Sequence, residues 1–177
     1  MKTPIYQSHT ETPIGEMLLC ATEKGLSLAQ FKQRKDFDHH YNKLLIQKHG
    51  ELVHEENEHI TSIKQQLAEY FEGKRQQFDI AKDIVGTHFQ QTVWEMLQNI
   101  PYGTTISYQE QANQMNNPMA IRAIASANGM NPLEVIIPCH RVVGKDGNLT
   151  GYSSGLQAKK WLLSMEKGLI IYEPTLF

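Results

Sequence analysis

Ser107-Tyr108-Gln109-Glu110-Gln111-Ala112-Asn113-Gln114-Met115, then Asn116-Asn117-Pro118, then Met119-Ala120-Ile121-Arg122-Ala123-Ile124-Ala125-Ser126-Ala127-Asn128-Gly129, reads as short helix, turn, longer helix. Ser107 and Glu110 have capping-box spacing: the hydroxyl can accept from the Glu110 N–H while the carboxylate reaches back. Asn117 before Pro118 is a second helix-start signal, and Gly129 a stop signal. Two helices joined this way form the helix-turn-helix arrangement. Spacing alone leaves open whether this one touches DNA, because many helical hairpins do not.

In the second helix Ala120, Ile121 and Ile124 can pack inward, leaving Met119, Arg122 and Ser126 on another face. One Arg among small side chains suits close approach to a narrow groove with a single projecting probe. An Ala-rich packed helix with one solvated Arg is the plainer reading, and the residues alone favour it.

Upstream, Phe89, Val93, Met96, Leu97 and Ile100 form an apolar helical stripe that Pro101 stops. Before about Val85 the pattern is different. Ile5 to Thr10, Met17 to Ala21 and Leu26 to Phe31 are strand-like runs separated by turn signals, which predicts an antiparallel meander. Two helical stretches follow, the stronger carrying Ile60, Ile63, Leu67, Tyr70 and Phe71 and ending at Gly73. The expected class is α+β with two domains, an N-terminal α/β scaffold over 1–85 and a mainly helical domain over 86–177.

The 177 residues carry 17 basic and 19 acidic side chains, with a sequence pI near 6.4. The part up to Val85 holds 11 basic and 13 acidic residues, and the rest 6 of each. That excludes binding to nucleic acid by bulk positive charge, for which pI above ~9 is usual. The N-terminus shows no signal-peptide pattern, and no apolar run nears the ~18 residues that cross a bilayer. Two cysteines, Cys20 and Cys139, give no disulfide framework. A cytoplasmic chain with reduced thiols and no membrane partner is expected.

Val135-Ile136-Ile137 is a short apolar run cut off by Pro138-Cys139-His140-Arg141. It sets a thiol at the edge of the core beside an imidazole, where its acidity can be tuned. A buried inert cysteine is the competing reading, and for Cys20, within a strand and far from any His, it is the preferred one.

Asn131-Pro132-Leu133-Glu134-Val135-Ile136-Ile137-Pro138-Cys139-His140-Arg141-Val142-Val143 closely resembles the active-site signature of the O6-alkylguanine-DNA alkyltransferases. The likeness extends through Gly86-Thr87-His88-Phe89-Gln90, Ile100-Pro101-Tyr102-Gly103, Ser107-Tyr108, Arg122, Ala127-Asn128-Gly129, Gly151-Tyr152, and Lys160-Trp161-Leu162-Leu163 with Glu166. It is weaker before residue 86, in Thr12-Pro13-Ile14-Gly15 and Tyr70-Phe71-Glu72-Gly73-Lys74.

The resemblance implies a ribonuclease H-like first domain and a winged-helix-like second one. It implies a DNA-repair methyltransferase that moves a methyl or larger alkyl group from O6 of guanine to its own Cys139, once per molecule, with O4-methylthymine a further candidate substrate. His140 would act as base through a water, Glu166 would polarise His140, and Asn131 would be the hinge tying the DNA-binding helix to Cys139. Tyr108 would donate to the flipped base or crowd its phosphate. Arg122 would enter the stack from the minor groove. Ser126, Val142, Tyr152 and Ser153 would line the DNA or base site, with Tyr152-Ser153-Ser154-Gly155 as a binding loop. The partner would be double-stranded DNA containing O6-alkylguanine, bound with base flipping by a monomer, and no cofactor is implied.

Two departures stand out. Ala125 and Ser126 occupy a region where many relatives carry Gly. The zinc ligands that some relatives hold in the first domain have no counterpart, since Cys20 stands alone and His39, His40, His49, His54 and His59 lack ligand-like spacing with thiols. No metal is expected. Two other functions fit parts of the pattern. One is a DNA- or lesion-binding regulator without transfer, which the cysteine argues against. The other is a Cys-His-Glu hydrolase, in which adjacent Cys and His would be unusual.

Overall fold

The computed structural model describes residues 1–170, which form two compact units, Met1–Val85 and Gly86–Ile170. The expectation that the second domain continues over 171–177 lies outside the described residues.

In the first unit β1 (Thr3–Thr12), β2 (Gly15–Thr22) and β3 (Gly25–Phe31) pair antiparallel in sequence order, as the alternation predicts. The sheet has a fourth strand, β4 (Gly50–Val53), set parallel against β1, so it is mixed rather than a pure antiparallel meander. Helix α1 (Phe37–Gln47) supplies the crossover that a parallel neighbour needs. On one face Leu18, Cys20 and Leu28 pack with Leu44 of α1. Met17, Leu19 and Ala21 alternate with them and are equally buried, which takes a second layer. Helix α2 (Glu58–Phe71) lies against β1, β2 and β3 and buries Ile60, Ile63, Leu67, Tyr70 and Phe71, the stripe read from the sequence. Asn57 caps it by accepting from the Ile60 N–H, and Gly73 follows its end at φ 74°.

The second unit contains α3 (His88–Leu97), β5 (Ile106–Ser107), α4 (Tyr108–Gln114), α5 (Ile121–Gly129), β6 (Val142–Val143) and α6 (Leu156–Glu166). In α3 the stripe is only partly as expected. Val93 and Leu97 are buried with Trp94, whereas Phe89 in the first turn is exposed. Trp94 anchors the unit by donating from Nε1 to the Ala127 carbonyl at 2.9 Å. Its ring lies where a Cβ on Gly86 would stand, so the residue there must be Gly.

The Ser107–Glu110 capping box is present with both bonds and opens α4. The Asn117-Pro118 signal is not a helix start. Asn117 closes a turn by accepting from the Ala120 N–H, and α5 begins at Ile121 without a side-chain cap. Gly129 is the last helical residue and Met130 follows it as the cap, because the turn into Asn131 needs no left-handed residue there. A buried reciprocal amide pair locks α4 to α5. Gln111 Nε2 donates to Asn128 Oδ1 at 2.9 Å, and Asn128 Nδ2 donates back at 2.8 Å. Asp146 and Gly147 both take positive φ, as an Asp-Gly turn of type I′ requires. No strand follows it over 149–152.

Candidate active site

Pro138 ends the buried run and Cys139 opens a single 3₁₀ turn, Cys139–Arg141. The thiol is half-buried, and Asn131 Nδ2 donates to its sulfur at 3.3 Å. The same amide donates to the Ile137 carbonyl, while Asn131 Oδ1 accepts from the Leu133 N–H. One side chain therefore holds the 131–139 segment in shape and touches the Cys139 sulfur. Within that segment Val135 sits at φ 74° and is buried, an unusual conformation for a β-branched residue and a store of about 1–3 kcal/mol of strain.

Behind the thiol lies a buried charge cluster. His140 Nε2 is 2.8 Å from Glu166 Oε1. Arg141 grips both carboxylate oxygens, Nε to Oε2 and Nη2 to Oε1, each at 2.9 Å. Its Nη1 donates to the Ile100 carbonyl at 2.7 Å. The Gly103 N–H reaches Glu166 Oε2 at 3.3 Å, and Gly103 has φ 75° with the Glu166 carbonyl 3.0 Å from where its Cβ would be. The Pro101-Tyr102-Gly103 run is thus part of the carboxylate's cradle. Burial alone would raise the Glu166 carboxyl, but hydrogen bonds and charge from His140 and Arg141 outweigh it and hold it well below the usual carboxylate range. Burial pushes the His140 imidazolium down and Arg141 and Lys159 add to this, with Glu166 opposing. An ionised Glu166 facing a neutral His140 assigns the Nε2 proton to the bond between them. Nδ1 is then the basic nitrogen; it is buried and has no hydrogen-bond partner among the described residues.

In front of the thiol is a cavity of about 520 Å³. Its walls are Tyr108 from α4, Ile121, Arg122, Ala125, Asn128 and Gly129 from α5, and Thr150 to Ser153 of the following loop. Cys139, Tyr108, Arg122, Tyr152 and Ser153 therefore meet at one place, with Asn131, His140 and Glu166 supporting the sulfur. Two expectations need correction. Val142 does not line the cavity; it is fully buried in β6 and takes part through its backbone, its N–H donating to the Cys139 carbonyl and its own carbonyl accepting from Lys159. Ser126 lies on the exposed side of α5, the face expected for it, and outside the cavity wall. Ile121, expected to pack inward, is half-buried and lines the cavity instead.

Tyr108 donates its hydroxyl to the Thr150 carbonyl at 3.1 Å. Burial, with Cys139 adding, raises its pKa and keeps it a phenol. The residue that sequence reasoning missed is Lys159. It is fully buried, and Nζ donates to the carbonyls of Val142 (2.6 Å), Gly151 (3.2 Å) and Thr150 (3.3 Å) and lies 5.9 Å from the Tyr108 ring centre. Burial lowers its pKa and the charge of Cys139 opposes that, so the two groups interact electrostatically. A signal was available: Lys159, Leu162, Leu163 and Glu166 share the i, i+3, i+4, i+7 stripe of α6, which places a Lys on the buried face.

Among the described residues no group of three metal-ligating side chains occurs, and no helix is long and apolar enough to cross a membrane. Cys20 differs from Cys139 at every point: it is fully buried in β2, and burial alone pushes its thiol up to about 12.

Comparison with known proteins fits this geometry. Residues 5–84 match the ribonuclease-like domain of 6-O-methylguanine DNA methyltransferase, and residues 88–168 match its DNA binding domain. A methylated-DNA–protein-cysteine methyltransferase of Methanosarcina barkeri is 42% identical over 92% of this chain and 98% of its own length. The constitutive enzyme of that name from Bacillus subtilis is 38% identical over 92% and 95%. A crystal structure of Mycobacterium tuberculosis OGT in complex with DNA superposes with a TM-score of 0.78 at 36% identity, covering 94% of each chain. A nucleophile-bearing C-terminal unit and a mixed-sheet N-terminal unit, matched along nearly their whole length, make this chain a member of the methylated-DNA–protein-cysteine methyltransferase family.

Proposed function

We propose that the protein repairs DNA by direct reversal, as a methylated-DNA–protein-cysteine S-methyltransferase that accepts the methyl of O6-methylguanine on Cys139. The observation that carries this is the order of groups behind the sulfur: Cys139, then His140 with a partner-free Nδ1, then an ionised Glu166 held by Arg141. A water at Nδ1 would pass the thiol proton to the imidazole. Sulfur then attacks the methyl carbon, the S–C bond forms, the C–O6 bond breaks, and its electron pair leaves on guanine. The proton lost by the thiol is returned to the base, so the net exchange is a methyl for a proton.

Ionisation is the smaller part of the catalysis. A thiol of ordinary pKa ~8.5 is a few per cent ionised at pH 7, so full ionisation gains at most ~30-fold, about 2 kcal/mol. The rest comes from in-line positioning and from hydrogen bonds to the departing guanine. Tyr108 is the candidate donor, and its present bond to Thr150 must be exchanged for one to the base. The product is a thioether that no side chain of the site can hydrolyse, which makes the reaction single-turnover.

The DNA would meet α5 through its small residues on the minor-groove side, with Arg122 filling the space of the extruded base and Ser126 beside the backbone. Extrusion costs a few kcal/mol, and an inserted side chain offsets part of it. The chain acts as a monomer in this scheme, and a reducing compartment such as the cytoplasm keeps Cys139 a thiol. Duplex DNA containing O6-methylguanine, titrated with protein and digested to nucleosides, tests the reading. Loss of one lesion per chain and no more supports it. Lesion binding with the base unchanged would replace it with a binding-only function.

A further inference from the structure

Glu134 is fully buried and has no part in the chemistry above. Its Oε1 accepts from Ser154 Oγ at 2.6 Å, and Ser154 is buried too. The bond joins two segments that the reaction needs in register. Glu134 lies on the segment that carries Cys139, and Ser154 directly follows the cavity-lining run Thr150–Ser153. That run belongs to no strand or helix, and φ is positive at Gly151 within it and at Gly155 beyond its end. Side-chain tethers therefore set its position. Lys159 holds its start through the Thr150 and Gly151 carbonyls, Ser153 Oγ reaches the Gly129 carbonyl at 3.1 Å, and Ser154 holds its end to Glu134. Glu134 also flanks Val135, whose left-handed backbone persists only where neighbours over-determine it.

We propose that Glu134 is a positioning residue for alkyl transfer, fixing the 150–155 wall of the base cavity against the Cys139 segment through Ser154. The proposal rests on the alkyl-transfer reading. Transfer requires the O6 substituent in line with sulfur, and a wall displaced by about 1 Å costs rate well before it costs the fold.

The test compares single-turnover transfer from an O6-methylguanine duplex with the reaction of Cys139 with iodoacetamide, which enters the same cavity but needs no base seated against its wall. Ser154→Ala is expected to slow transfer about tenfold while leaving the iodoacetamide rate unchanged. Glu134→Ala slows transfer as well, and adding Ser154→Ala to it slows transfer no further, because both changes break one bond. Ser154→Ala alone decides the matter if Glu134→Ala does not fold. Wild-type transfer by Ser154→Ala, or equal losses in both reactions, overturns the proposal. A wild-type chain with no transfer overturns the alkyl-transfer reading itself, and the proposal with it.

Discussion

Each unit contains a histidine, a carboxylate and an arginine in mutual contact, and the two clusters behave differently. In the first unit Arg34 Nε donates to Asp36 Oδ1 at 2.6 Å, and His40 Nε2 lies 3.0 Å from Asp36 Oδ2 and 2.9 Å from Arg34 Nη2. In the second, Arg141 and His140 both converge on Glu166. An arginine can only donate and a carboxylate can only accept, so His40 Nε2 meets one of each and can serve only one of them, with or without its proton. His140 Nε2 faces a carboxylate alone and carries one. The same residue types thus hold the His140 ring in one tautomer and leave His40 Nε2 divided between two contacts. The carboxylates differ as well, since the Asp36 side chain is 39% exposed and the Glu166 side chain 0%. Residue type does not make a catalytic base; the atom each partner offers to the ring does.

Removing the nucleophile should separate the units most sharply. Cys139→Ala is expected to abolish methyl transfer, while Cys20→Ala transfers at the wild-type rate, both read from lesion loss in a fixed time. Next come the carboxylates. Glu166→Gln breaks a fully buried pair and should cost ~3–5 kcal/mol of stability in denaturant titrations, together with a ~100-fold slower transfer. Asp36→Asn, half in solvent, should cost about 1 kcal/mol and leave transfer intact. Equal losses for the two variants would mean that the two clusters do not differ in this way.

The pH response is the next smaller effect. Burial first, then the charge of Arg34, lowers His40 from 6.5 to about 4. Between those values the unfolded chain binds the proton that folded His40 refuses, so stability falls as pH drops from about 6.5 to about 4. His140 acts in the same direction. Glu166, held below its ordinary 4.5, contributes stability that is present above that value and lost as pH falls further. Thermal melts at stepped pH should show a shallower acid slope for His40→Asn than for wild type. An unchanged slope would contradict the buried neutral state.

The smallest effect concerns charge. With 6 basic residues against 6 acidic ones after Val85, DNA binding should have a shallow log–log salt slope, well short of that of a protein making 6–10 phosphate contacts. Arg122→Ala should weaken lesion binding and change that slope by ~1 or less.

Local signals carried much of the fold and the site. The Ser107–Glu110 box, the α2 stripe and the three leading strands are short-range patterns, and each appears where its residues predict. β4 is illegible because its four residues, one exposed and three half-buried, show no alternation, and their parallel pairing with β1 is non-local. Phe89 departs from its stripe because periodicity reports a face, and Phe89 in the first turn of α3 is exposed. Asn117-Pro118 carries the chemistry of both a cap and a turn, and only the bond from Ala120 decides between them. At the site, Cys139 and its neighbours announced themselves in sequence. The Arg141 grip on Glu166, the Gly103 cradle and the three carbonyls around Lys159 did not, because each joins segments far apart in the chain.

Alkyl transfer is expected to be confined to Cys139 by its surroundings. Mass spectrometry of both cysteine peptides, after the chain has consumed an equimolar O6-methylguanine duplex, tests it most directly. One methyl on the Cys139 peptide and none on the Cys20 peptide is the expected result. An unmodified Cys139 with the lesion gone, or a methyl on Cys20, would contradict it.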